Sequence, residues 1–192
     1  MLLKTIIKIN FALLIAIFVL AKNSIAQTID PVTNLVTYKG SISNAENSIA
    51  DSKDDIAAYL KGIDGIDSLD FTEKEDGVII DFLGKINVSY SPKALADKME
   101  SGIGYALAKN SKPYGYFKYV GSLYLKEDKL LYRFNNYDHY LPKKPRRSLG
   151  KIEQELGHKT NPLFWKSYKE QVDATTKGII AGMESVLSGT DW

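Results

Sequence analysis

From Asn161-Pro162 to Leu187, the side chains of Trp165, Tyr168, Val172, Thr176, Ile179, Met183, Val186 and Leu187 recur at helical spacing for about seven turns. Proline is favoured at a first helical position, so Pro162 marks the start. A helix with so long an apolar stripe has to lie on something apolar. Upstream, the sequence offers one large partner, because its apolar residues change period from about 3.6 to 2 and so predict a sheet.

Leu69 and Phe71 alternate with polar neighbours, Asp76-Gly77 is a hairpin signal, and Val78, Ile80 and Phe82 alternate beyond it. Gly84 is expected to bulge or bend that strand before Ile86, Val88 and Tyr90 resume it. A second hairpin is predicted from Tyr114–Leu125 and Leu130–Tyr137, turning at Glu127-Asp128. Ahead of the sheet, Val36–Ile42 reads as a short strand and Ser43–Asp51 as a loop. Ser52 is expected to cap a short helix with Asp54 and Asp55 in its first turn and Ile56, Tyr59, Leu60 and Ile63 on its apolar face; Gly62 and Gly65 end it. After Ser91-Pro92, Leu95, Met99, Ile103 and Ala106 fit a helix that Gly102 and Gly104 weaken, so helix and loop both stay open for residues 92–108. Pro142–Arg147 reads as a connector, and Ser148–Leu156 as a brief helix stopped by Gly157. The fold class expected is α+β: a twisted antiparallel sheet with a short N-terminal helix and a long C-terminal helix packed on one face.

The first 26 residues belong to a different kind of segment. Lys4 and Lys8 precede an 11-residue apolar run, Phe11–Ala21, and Ser24-Ile25-Ala26 forms a small-x-small pattern before Gln27. This is the layout of a secretory signal peptide, with cleavage expected after Ala26. The run falls short of the roughly 20 residues a membrane-spanning helix needs. Lys22 is untypical near a cleavage site and leaves an uncleaved short anchor as the alternative. Residues 27–192 then make one domain, with 142–161 connecting to the C-terminal helix. The whole chain has 25 basic and 23 acidic residues. Removing 1–26 takes away Lys4, Lys8 and Lys22, so 22 minus 23 leaves −1, a poor charge for a nucleic-acid or membrane-surface binder. Cysteine is absent, which excludes disulfides, thiolate catalysis and cysteine-ligated metals in the exported, periplasmic or extracellular compartment that the leader implies.

The stretch Ser122-Leu-Tyr-Leu-Lys-Glu-Asp-Lys-Leu-Leu-Tyr-Arg-Phe-Asn-Asn-Tyr-Asp-His139 joins an alternating strand, a polar turn and an aromatic-Arg strand ending near an Asn, an aromatic and a His. With the element order around it, this resembles an uncharacterised family of exported proteins of Gram-negative bacteria whose fold is like that of the TATA-box-binding protein. The chain departs from that family's pattern in the turn, where Lys126-Glu127-Asp128-Lys129 contains no glycine. The resemblance implies a TBP-like fold and an exported location, and it transfers no catalytic residue.

No catalytic residue, metal site or cofactor is expected. His139 and His158 are isolated, and the chain has no His-Glu-x-x-His, Gly-x-Ser-x-Gly or phosphate-loop pattern; Gly102-Ile103-Gly104 lacks the third glycine of a dinucleotide fingerprint. Lys112–Tyr119 has the outline of an RNA-binding signature, but Pro113 stands in place of the first glycine and Phe117 in place of valine. The aromatics of the second hairpin must occupy both sheet faces, and tyrosine suits a surface that is partly wet. Tyr114, Tyr116, Tyr124, Tyr132 and Arg133 are therefore the candidate ligand or partner residues, Arg133 having either a bound carboxylate or phosphate or an acid on a neighbouring strand as its partner. Two functions are expected ahead of a third, a hydrolase whose site is assembled from residues distant in sequence. One is non-catalytic binding of an envelope protein. The other is carriage of a small apolar or lipid-like ligand between sheet and long helix. Nucleic acid is not an expected partner, and membrane contact is expected only through an uncleaved leader.

Overall fold

The computed structural model describes residues 27–44, 48–89, 113–141, 148–155, 157 and 162–189, with the side chains of 113 and 114 excepted. The leader 1–26, the segment 92–108, the basic residues at 143–147 and His158 lie outside the described residues.

Six antiparallel strands form one sheet: β1 (Gln27–Ile29), β2 (Val36–Ser43), β3 (Ile66–Lys74), β4 (Gly77–Ser89), β5 (Pro113–Leu125) and β6 (Lys129–Tyr140). Their spatial order is β1-β2-β6-β5-β4-β3. Helices α1 (Ile49–Gly62) and α2 (Pro162–Leu187) pack on one face, giving the α+β architecture expected from the period change. Both hairpins form, the first turning at Glu75-Asp76 because Lys74 pairs with Gly77. Opposite Gly84 the register breaks in β3, between Ile66 and Leu69, so the irregularity expected near that glycine falls on the partner strand.

Three expectations are corrected. The cap of α1 is Ser48, whose Oγ accepts the Asp51 amide at 3.2 Å. Ser52 is fully buried one turn inside and donates to Asn44 Oδ1 at 2.7 Å, so the earlier serine, with the extended backbone a cap needs, starts the helix. Residues 148–155 form no helix. Gly150 has φ +114°, and the segment instead pairs with the second half of β6, which β2 leaves after Phe134. Gln27–Ile29, for which no strand was expected, pairs with Val36–Tyr38.

The face under the helices is paved with rings lying on glycines. Gly84 pairs with Tyr119, Gly121 with Phe82 and Gly40 with Tyr132, and a Cβ on any of the three would overlap the opposite ring. The rings lie against each other: Tyr119 stacks on Tyr137 at 5.4 Å, and Phe82 meets Tyr119 and Phe134 edge-on at 6.2 and 5.9 Å. A bulge in β6 sets which side chains join them. Tyr119 faces two β6 residues, Asn136 (φ +58°) and Tyr137, because Lys118 pairs with Asp138 and Val120 with Asn135. The extra residue reverses the alternation, so Tyr137 and His139 point to the helices where an unbroken strand would send Asn136 and Asp138.

The α2 stripe closes this surface with Trp165, Tyr168, Val172, Thr176, Ile179, Met183 and Leu187, all buried. Three tyrosine hydroxyls inside find partners: Tyr38 Oη donates to Asp173 at 3.0 Å, Tyr137 Oη and Thr176 Oγ1 share a bond of 3.0 Å, and Tyr59 Oη donates from α1 to the Ile179 carbonyl at 3.1 Å.

The paving predicts opposite outcomes for two glycine substitutions. Gly84→Ala is expected to destabilise by about 1–3 kcal/mol, since Tyr119 is held by Tyr137 and Phe82 and cannot yield. Gly178→Ala, on α2 with open space around it, is expected to stabilise by about 0.5–1 kcal/mol. Urea unfolding midpoints measure both, and equal shifts would contradict the packing account.

Candidate functional site

The face of the sheet away from the helices is where the sequence placed a binding surface. Alternation in β5 brings Tyr116, Lys118, Val120, Ser122 and Tyr124 to it, and β4 adds Ile79, Asp81, Leu83, Lys85 and Asn87. Leu131, Arg133, Asn135, Asp138 and Tyr140 come from β6, and Lys39 and Ser41 from β2.

Of the five candidates, Tyr116, Tyr124 and Arg133 lie on this face. Tyr114 is in β5, where its side chain is outside the description. Tyr132 is not part of the surface: it alternates to the helix side, 7% exposed, with its ring on Gly40. Pattern alone did not give the face of β6, because apolar or aromatic residues occupy positions of both parities at 130–132. The pairing with Gly40 decides it.

At one end, Tyr116 and Tyr140 stack at 5.8 Å with planes 16° apart, and the Lys118 ammonium lies 5.0 Å above Tyr140. Tyr140 Oη donates to Asp138 Oδ2 at 3.3 Å, and the Asp138 charge raises the phenol's pKa. At the other end, about 27 Å along β5, the Tyr124 hydroxyl donates to Asp76, Lys126 binds the same carboxylate at 2.6 Å, and the Lys126 ammonium sits 4.7 Å over the Tyr124 ring. The Lys126 bond holds the Asp76 carboxyl below the usual range. Between the ends lie Val120 and Leu83, the latter 60% exposed. Sequence reading passed over Leu83 because it falls between the inward positions Phe82 and Gly84. Its signal was an apolar residue at the odd, outward parity of β4.

Cross-strand neighbours Lys39 and Arg133, and Lys85 and Lys118, carry like charge, which is unfavourable unless acids are close. Arg133 pairs at 3.5 Å with Asp30, an acid that follows β1 rather than one on a strand beside β6. The Val32 and Thr33 amides donate to Asp30 Oδ1 at 2.9 and 3.1 Å, and these backbone bonds lower the carboxyl's pKa. Lys85 binds Asp67 at 2.5 Å, and Asp138 stands opposite Lys118.

Titratable groups on the helix side are shifted by burial. Tyr38, Tyr119 and Tyr137 are pushed above the ordinary phenol value, mainly by desolvation, and desolvation pushes His139 down to about 4. All four are packed among the rings of the core. Among the described residues, no group of three or more His, Cys, Asp or Glu is placed to hold a metal ion.

No protein-family model and no curated protein matches the chain. Two solved structures share its fold. One is a TBP-like protein from Parabacteroides distasonis ATCC 8503, with TM-score 0.54 and 11% identity, covering 86% of this chain and 99% of that one. The other is a DUF4468 family protein from Bacteroides ovatus ATCC 8483, with TM-score 0.54 and 10% identity, covering 83% and 90%. The fold is therefore TBP-like, as the resemblance of Ser122–His139 implied, and these neighbours likewise come from a TBP-like protein and a family of unknown function.

Alanine substitutions should separate surface from core. Tyr132→Ala is expected to cost about 3 kcal/mol or more, Tyr116→Ala and Tyr124→Ala about 1 kcal/mol each, and Arg133→Ala no more than about 1 kcal/mol. Guanidinium denaturation checks the order, and a Tyr116 cost equal to that of Tyr132 would move Tyr116 into the core.

Proposed function

We propose that this chain is a non-catalytic binding module, exported through residues 1–26 to the periplasm or cell envelope, whose uncovered sheet face receives an envelope protein. The observation that carries the reading is the outer face itself. It has half-exposed tyrosine rings at both ends, an exposed leucine in the middle and a rim of charges neutralised in place. Protein interfaces favour such anchors, since tyrosine buries a large rigid ring while its hydroxyl stays hydrogen-bonded. Here the hydroxyls of Tyr140 and Tyr124 are already held by Asp138 and Asp76, so little side-chain entropy remains to be lost on binding. The near-neutral charge of residues 27–192 supports a protein partner over nucleic acid.

Carriage of an apolar ligand gains little from the helix–sheet interface. Tyr119, Tyr137, Phe82, Phe134 and Phe117 occupy the space there with rings in mutual contact or against Trp165. The strongly shifted phenols and imidazole serve that packing, which favours a non-catalytic reading.

A photoreactive side chain at position 83, in cells of the native host, is expected to give a discrete protein adduct that Tyr116→Ala with Tyr124→Ala abolishes. The same probe at Leu163 on α2 should give none. An adduct at 163 and not 83, or one at 83 indifferent to both tyrosines, would place the partner elsewhere.

A further inference from the structure

The second half of β6 has an unusual neighbour. Where β2 stops, residues 148–155 lie along the vacated edge: His139 N–H donates to the Gly150 carbonyl at 3.2 Å, Ile152 N–H to the Tyr137 carbonyl at 3.1 Å, and Asp138 bridges to Lys151. Leu149 and Ile152 enter the core from this segment. A titratable imidazole, that of His139, lies fully buried beneath it. The His139 ring stacks on Tyr168 at 6.0 Å and meets Phe117 edge-on at 5.1 Å, and its Nδ1 accepts the Leu149 N–H at 3.4 Å. That bond needs a bare nitrogen, so the proton sits on Nε2. Nε2 has no hydrogen-bond partner among the described residues and faces Gly115, where a Cβ would lie 2.7 Å away.

We propose that His139 is an acid-sensitive latch, which holds residues 148–155 on the β6 edge while its imidazole is neutral and releases them when it is protonated. A proton on Nδ1 would set two donors against each other, N–H of the ring against N–H of Leu149, and would leave a charge among Phe117, Tyr168 and Leu149. Among the described residues, the groups around it offer little compensation. Asp138, its neighbour on β6, favours the charged ring but points to the other face and already accepts from Ser148 Oγ at 2.9 Å and from Tyr140. From its described residues, β5 presents Phe117 and Gly115 to the ring. From α2 comes the Tyr168 phenol, while the Lys169 amine is turned to the Gln154 carbonyl at 2.6 Å. In the segment, Glu153 accepts the Val36 amide at 2.8 Å.

Burial keeps the docked imidazole neutral down to about 4, whereas a ring freed into water titrates near its ordinary 6.5. Docking is therefore at full strength above about pH 6.5, weakens as pH falls through that interval, and is fully weakened below about 4. The difference amounts to about 300-fold in the docking equilibrium. Release would uncover the Tyr137 carbonyl and the His139 N–H, a strand edge open to pairing.

Amide hydrogen exchange of the full chain by NMR between pH 7 and 4, corrected for intrinsic rates, tests the latch. Opening at Ile152 and His139 is expected to rise about 100-fold while Ile80 and Phe82 in β4 hold constant. In His139→Gln, whose amide oxygen can still accept from Leu149, the pH dependence should vanish. If that variant does not fold, the imidazole carbon shifts of the wild type supply the second reading, with their midpoint expected to track the opening of the segment. Opening of β4 together with the segment would mean global acid unfolding, and pH dependence persisting in the glutamine variant, or a ring that titrates without any opening, would equally overturn the proposal.

Discussion

The structure depends on rings lying flat across a sheet, and rings lie flat only where the opposite strand has no side chain. Gly40, Gly84 and Gly121 each face an aromatic residue of the adjacent strand, and the rings so seated touch one another across β2, β6, β5 and β4. That layer presents a smooth apolar surface on which one long helix can lie at full length. The stripe from Trp165 to Leu187 follows, and with it the distinction between a face covered by helices and one that the described residues leave open. The β6 bulge extends the same layer by turning Tyr137 and His139 inward.

This explains which parts of the chain its sequence reveals. Hairpins and the C-terminal helix were legible because each is set by periodicity within one segment, at positions 69–82, 114–137 and 162–187. What escaped depends on a partner remote in sequence. Tyr132 looks as outward as Tyr124 until Gly40, from another strand, is placed beside it. Residues 148–155 carry enough polar and helix-forming side chains to suggest a helix, but Gly150 at positive φ and a free edge on β6 draw them into strand-like pairing. Ser48 and Ser52 are both acceptable caps locally, and the buried bond from Ser52 to Asn44 separates them. Of the candidate site, the tyrosines were legible as a group and three of the five positions reached the outer face or its charge network. Leu83, Lys118 and Asp76 were not, because neighbours on other strands give them their roles.

The outer face differs from the inner in how its aromatics are held. Inside, rings are held by rings and by glycine gaps; outside, Tyr124 and Tyr140 are held by a carboxylate on the hydroxyl and an ammonium over the ring. The first arrangement serves stability. The second fixes orientation while leaving ring surface exposed, which is what a recognition surface requires. Asp138 touches both proposals, since it holds Tyr140 on the outer face and Ser148 at the start of the latched segment. A change in the latch would thus reach the rim of the surface through one carboxylate.

The central claim is that the sheet's outer face, rather than the helix–sheet interior, is where this protein meets its partner. Hydroxyl-radical footprinting of the free protein and of the complex isolated from the native host measures it most directly. The account predicts that Leu83, Tyr116 and Tyr124 lose reactivity on binding while Leu163 on α2 keeps its own. Protection at Leu163 with Leu83 unchanged would contradict it.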